Sequence, residues 1–83
     1  MKYTYPVIFE YNDNKIGVRV PDISGCFTFG ETITEAIEMA EDAMAMMLAH
    51  YEDHRQAIPK PSDISQIKTK NGFVNYVLAD TDA

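Results

Sequence analysis

The sequence predicts an α+β domain with the element order β-β-β-α-β, a four-stranded mixed sheet carrying one helix on one face. Two alternating apolar segments near the start, a long stripe of 3.6-residue period in the middle and an apolar run after a pair of prolines carry that prediction. At 83 residues and 46% hydrophobic content the chain holds one small domain, expected over residues 1–80 with a short tail at 81–83.

From Tyr3 to Tyr11 the residues Tyr3, Tyr5, Val7, Phe9 and Tyr11 alternate with Thr4, Pro6, Ile8 and Glu10, the pattern of a strand with one strongly apolar face. Asn12-Asp13-Asn14 supplies turn chemistry, and Ile16, Val18 and Val20 then alternate with Gly17, Arg19 and Pro21, so a hairpin is expected. Pro21-Asp22-Ile23-Ser24-Gly25 forces a sharp turn, because proline presets its φ, Asp22 and Ser24 bond nearby backbone and Gly25 tolerates positive φ. A third strand, Cys26 to Phe29, follows it and ends at Gly30. Thr32 with Glu35 three residues later is a capping box, so a helix begins at Ile33.

That helix runs to about His54, with its core stripe at Ile33, Ala36, Ile37, Ala40, Met44, Met47, Leu48 and Tyr51. Pro59-Lys60-Pro61 ends the helical region, since neither proline donates a backbone hydrogen bond. Phe73 to Leu78 reads as the fourth strand. Asn71-Gly72 before it is a type I′ turn pair, which leaves room for a brief extra strand at Ile67–Lys70. A right-handed crossover through the helix places strand 4 parallel to strand 1, in the sheet order 3-2-1-4, with the second sheet face and the edge at strand 3 open.

A domain this small buries only about 60% of its unfolded surface, so a supplement to its core is expected. One cysteine excludes an intramolecular disulfide, and no Cys/His cluster suggests a structural metal or cofactor, which leaves association with itself or another chain, as a homo-oligomer such as a dimer or tetramer. The N-terminal Met1-Lys2-Tyr3-Thr4-Tyr5 lacks the apolar run of a signal peptide, and no stretch approaches the roughly 20 apolar residues of a membrane span, so no membrane contact and a cytoplasmic location are expected. Thirteen acidic against seven basic residues give a net charge of −6, which argues against nucleic-acid binding by phosphate neutralisation and for a basic partner.

Several residues invite a chemical reading, and each has a plainer one. His50 and His54 have the i, i+4 spacing of zinc ligands, but Glu52 and Asp53 point elsewhere on the helix, and histidines near a helix C-terminus interact favourably with its dipole. Cys26 lacks a neighbouring base to lower its pKa and reads as a small buried hydrophobe. Asp22 and Ser24 hold the turn, and a rigid protruding turn also serves for docking. Met39, Ala43, Met46 and His50 form a second row beside the core stripe, available to an oligomer contact, a partner or the loop from Pro59 to Ile67.

In order along the chain, Tyr5-Pro6, Pro21-Asp22-Ile23-Ser24-Gly25-Cys26, Gly30-Glu31-Thr32, Glu35-Ala36, Ala40, Ala43 and Ile58-Pro59-Lys60-Pro61-Ser62, with the strand near Val77 to Asp80, resemble the HicB-type antitoxins of bacterial toxin–antitoxin pairs. The resemblance implies a reduced RNase H-like fold and an inhibitor that covers the active site of a small basic mRNA-cleaving toxin of the HicA type, with no catalysis of its own. A metal-dependent nuclease, the other reading of an RNase H-like fold, needs clustered carboxylates, whereas Tyr5, Val7 and Phe9 occupy the inward centre of strand 1. Many members of the family continue into a DNA-binding segment. Here the sequence reaches Asp80-Thr81-Asp82-Ala83 without one, so operon autorepression is the alternative role and is not expected of this chain alone. Seven acidic and no basic residues lie between Glu31 and Asp53, matching a basic partner. The expected partner surface comprises Asp22, Phe27, Phe29, Glu31 and Glu35, and the expected oligomer contact Met39, Ala43 and Met46.

Overall fold

The computed structural model describes residues 1–82, and its first strand, β1 (Lys2–Asn12), follows the alternation in the sequence. Tyr5, Val7 and Phe9 turn inward and are buried. Asp13 adopts φ 51°, a left-handed conformation that aspartate tolerates better than most residues, and this closes the turn into β2 (Lys15–Arg19), paired antiparallel from Asn12↔Lys15 to Ile8↔Arg19. The turn at residues 21–25 is tied by Val20, whose N–H donates to the Cys26 carbonyl, and it buries Ile23 and Cys26. It delivers β3 (Phe27–Gly30), antiparallel to β2.

Gly30 lets the helix α1 (Ile33–Asp53) start directly above the sheet, since a Cβ there would lie 2.5 Å from the Ala36 nitrogen. Thr32 caps the helix by accepting from the Glu35 N–H at 3.1 Å, and the Glu35 carboxylate accepts from the Glu31 N–H at 2.9 Å, one residue earlier than a strict capping box. Ala36, Ala40, Met44 and Leu48 are buried against the sheet, Ile37, Met47 and Tyr51 flank them, and Ile33 is left exposed at the first turn. Burial of the larger side chains contributes roughly 1.5–3 kcal/mol each before entropy is subtracted. The helix ends in a Schellman motif: Gln56 N–H donates to the Tyr51 carbonyl and Arg55 N–H to that of Glu52, with Arg55 at φ 54°.

The last strand, β4 (Gly72–Asp80), occupies the expected place in the order β3-β2-β1-β4 but runs antiparallel to β1, from Lys2↔Asp80 to Glu10↔Gly72. The sheet is therefore wholly antiparallel, not mixed. The reason is the length of the connection, residues 54–71, which travels the full strand length before turning back. It is pinned on the way: the Tyr5 hydroxyl donates to the Pro59 carbonyl at 2.5 Å, Asp22 accepts from both the Ser62 N–H and its hydroxyl, and Asn71 exchanges two bonds with the Tyr11 backbone. No strand forms at residues 67–70; the connection instead holds a 3₁₀ turn at Ile64–Gln66. Gly72 is needed for close approach, because a Cβ would lie 1.8 Å from the Phe9 carbonyl oxygen.

The second sheet face is also less open than expected. Pro6 and Ile8 point away from the helix yet are buried. The same connection reaches over this face, where Ile64 N–H donates to the Tyr76 hydroxyl and the Thr69 hydroxyl to Glu10. What stays exposed lies at the two sides: Phe27 and Phe29 on β3, Tyr76 and Leu78 on β4.

Candidate partner-binding surface

The expected partner residues divide into two groups once folded. Asp22 is half-buried and both carboxylate oxygens are taken by Ser62, at 2.9 Å from the backbone N–H and 2.5 Å from the hydroxyl. Its charge is used within the molecule, to hold the connection against the 21–25 turn. The remaining four, Phe27, Phe29, Glu31 and Glu35, follow one another along β3 and over the start of α1.

Phe27 is 74% exposed and Phe29 54%, large aromatic surface for a strand of four residues. Both share the sheet face of Arg19 and Gly17, their register partners on β2. Lys15 places its ammonium 4.6 Å from the centre of the Phe29 ring, a cation–π contact that partly occupies that ring and leaves Phe27 the freer of the two. Glu31 is exposed just outside the helix, while Glu35 divides its side chain between solvent and the cap.

Two patches that are separate in the sequence meet in space. A groove of about 280 Å³ between β3 and α1 is lined by Phe27, Thr28, Met39, Asp42, Ala43 and Met46. The methionine row of the helix and Phe27 thus line one groove with Asp42 in its wall, while Phe29 lies apart from it beside Lys15 and Gly17. Helical periodicity revealed the row and strand alternation the aromatics; their junction depends on where α1 crosses the sheet, which neither pattern encodes.

The residues with a possible chemical role are placed quietly. Cys26 is buried, and burial pushes its thiol pKa up, away from a reactive thiolate. The His50 and His54 rings lie 4.0 Å apart, and His54 Nδ1 sits 3.0 Å from the His50 carbonyl, as a capping contact does at a helix end. Among the described residues no group of three or more His, Cys, Asp or Glu side chains is arranged to hold a metal ion. No helix among the described residues is long and apolar enough to cross a membrane.

A four-stranded antiparallel sheet of order 3-2-1-4 under a capped helix, with one aromatic edge beside an acidic helix, describes a small two-layer α+β domain. Residues 5–82 match the family of HicB-like antitoxins of bacterial toxin–antitoxin systems, and the chain belongs to that family. It is 41% identical over 58 residues to antitoxin HicB 2 of Photorhabdus laumondii, covering 70% of this chain and 42% of that protein. It is 27% identical over 78 residues to an uncharacterised 14.9 kDa protein of Haemophilus phage HP1, covering 94% of this chain and 59% of that one. The chain thus spans about half the length of these relatives. Among solved structures, a toxin–antitoxin complex from Streptococcus pneumoniae contains a chain that superimposes with a TM-score of 0.90 at 25% identity, over 99% of this chain and 71% of that one. A chain of the HicA3–HicB3 toxin–antitoxin complex gives a TM-score of 0.72 at 25% identity, over 94% and 99% respectively.

Proposed function

We propose that this chain binds a small basic ribonuclease toxin of the HicA type and neutralises it by covering its active site with the β3 side of the domain. The action is steric and electrostatic, and involves neither cofactor nor chemistry on the antitoxin's part. The observation that carries this reading is the apolar groove between Phe27 and the Met39, Ala43 and Met46 row, set beside an acidic helix in a chain of the antitoxin family. Aromatic and methionine side chains supply the contact area that interfaces concentrate at their centres. Acidic side chains around them steer a basic partner and orient it on approach. Both structural relatives above come from toxin–antitoxin complexes, one of them named as HicA3 with HicB3, which supports a toxin as the partner.

The test is binding kinetics with a purified HicA-type toxin. Phe27→Ala is expected to raise the dissociation rate about thirtyfold, the effect of losing a central aromatic anchor. Glu31→Lys is expected to slow association, and most strongly at low salt, where screening is weakest. Glu31 is preferred to Glu35 because Glu35 also caps the helix. Unchanged kinetics in both variants would place the toxin elsewhere on the domain and overturn the assignment.

A further inference from the structure

The two edges of the sheet are unlike. β3 is four residues long, whereas β4 is nine, and among the described residues no strand pairs with the outward side of β4. Its hydrogen-bond parity follows from the bonds at both ends. Tyr11 N–H donates to the Asn71 carbonyl and Thr81 N–H to that of Met1, so the odd-numbered residues of this segment face β1. The N–H and C=O groups of Val74, Tyr76 and Leu78 therefore point out of the sheet; the Tyr76 N–H donates to the Asn75 side-chain oxygen at 3.0 Å, a bond within one strand that pairing with another strand would replace. The strand has none of the usual protections of an edge: no proline, no lysine, and one carboxylate, Asp80, at its very end. Tyr76 and Leu78, 47% and 49% exposed, stand on it.

We infer that β4 pairs antiparallel with β4 of a second copy across a two-fold axis at Tyr76, giving a continuous eight-stranded sheet. The occupant is argued from the strand's own sequence. Turned about Tyr76, the segment Phe73-Val74-Asn75-Tyr76-Val77-Leu78-Ala79 meets itself with Val74 opposite Leu78, Asn75 opposite Val77 and Phe73 opposite Ala79. Aromatic and β-branched side chains thus meet apolar ones on the outer face, the pairs that stabilise sheets best. No like charges oppose one another: Asp80 falls opposite Gly72, and Lys70 opposite Asp82. The outward parity of Val74, Tyr76 and Leu78 makes these the hydrogen-bonded pairs, as the self-match about Tyr76 requires. A closed, self-complementary contact of this kind stops at two copies. It also leaves the β3 groove free at the far end of each sheet, so two toxins fit one dimer; the pairing itself does not depend on what binds at β3.

Sedimentation equilibrium and amide hydrogen exchange of the whole chain test this. The wild type is expected to be a dimer, twice 9.4 kDa, with slow exchange at the amides of Val74 and Leu78, which have no hydrogen-bond partner among the described residues of one chain. Leu78→Pro removes one outward N–H per copy without touching the bonds to β1, and should weaken the dimer about thirtyfold through two lost hydrogen bonds. Should that variant fail to fold, Leu78→Lys tests the same contact at an exposed position. Tyr76→Cys is expected to cross-link two copies under mild oxidation, as the buried Cys26 does not. A monomer at all concentrations overturns the inference, as does a dimer in which these amides exchange fast or which survives both Leu78 variants. Slow exchange appearing only when toxin is added would assign the edge to the toxin instead.

Discussion

Arg55 occupies the position after the helix cap at φ 54°, where an arginine Cβ crowds the backbone and a glycine would not. The Schellman bonds from Arg55 and Gln56 hold it there nonetheless. Arg55→Gly should therefore stabilise the fold by about 1 kcal/mol, read as a higher urea midpoint at unchanged slope. The requirement is invisible in the sequence, because neither His54 nor Arg55 announces a left-handed residue. By contrast, Gly25, at φ 75°, was readable from its place after Pro21-Asp22. Gly72 follows Asn71 as in a turn pair, but a turn is not what requires it. Its missing side chain is required by the Phe9 carbonyl across the sheet, a contact between residues far apart in sequence.

At the level of elements, local signals proved sufficient wherever the determinant was local. The cap at Thr32, the stripe from Ala36 to Leu48 and the alternation in β1 are each fixed by neighbours within a few residues, and each was legible. The direction of β4 was not, since it depends on whether residues 54–71 return directly or first cross the sheet. The Asp22–Ser62 pair shows how the chain settles that question: a carboxylate 40 residues earlier grips the connection just past Pro61. Asp22→Ala should cost about 2 kcal/mol of stability, since it strips a charged acceptor from two donors, and Ser62→Ala should cost about 1 kcal/mol. The double variant should cost little more than Asp22→Ala alone, as expected of side chains that act as one unit; chemical denaturation of the four proteins measures this. The same pairing keeps Asp22, expected at the partner surface, half-buried against Ser62. The two-part groove at Phe27 was half legible for a similar reason, each half being local and their meeting not.

At the scale of the whole molecule, the sheet is bound to the helix and to the connection by two tyrosines of β1. Tyr5 donates to Pro59, and Tyr3 donates to the Glu52 carboxylate at 2.5 Å, near the end of α1. Both hydroxyls are donors, so both contacts need the phenol protonated. The bond to Glu52 is the main cause that raises the Tyr3 pKa from 10.0 to about 12, and burial is the main cause that raises that of Tyr5. A folded-state pKa above the unfolded value means that the native state holds its proton more tightly. The contribution of Tyr3 is thus fully present below pH 10 and is lost as the pH rises from there towards about 12. Tyr3→Phe removes the donor and the titrating group together. Its stability should run below that of the wild type at neutral pH and converge with it across that window, in urea melts recorded at each pH. Parallel curves through the window would mean that Glu52 does not hold the phenolic proton in solution. Raising the salt should leave the convergence largely in place, because a hydrogen bond at contact distance is screened far less than a pair of separated surface charges.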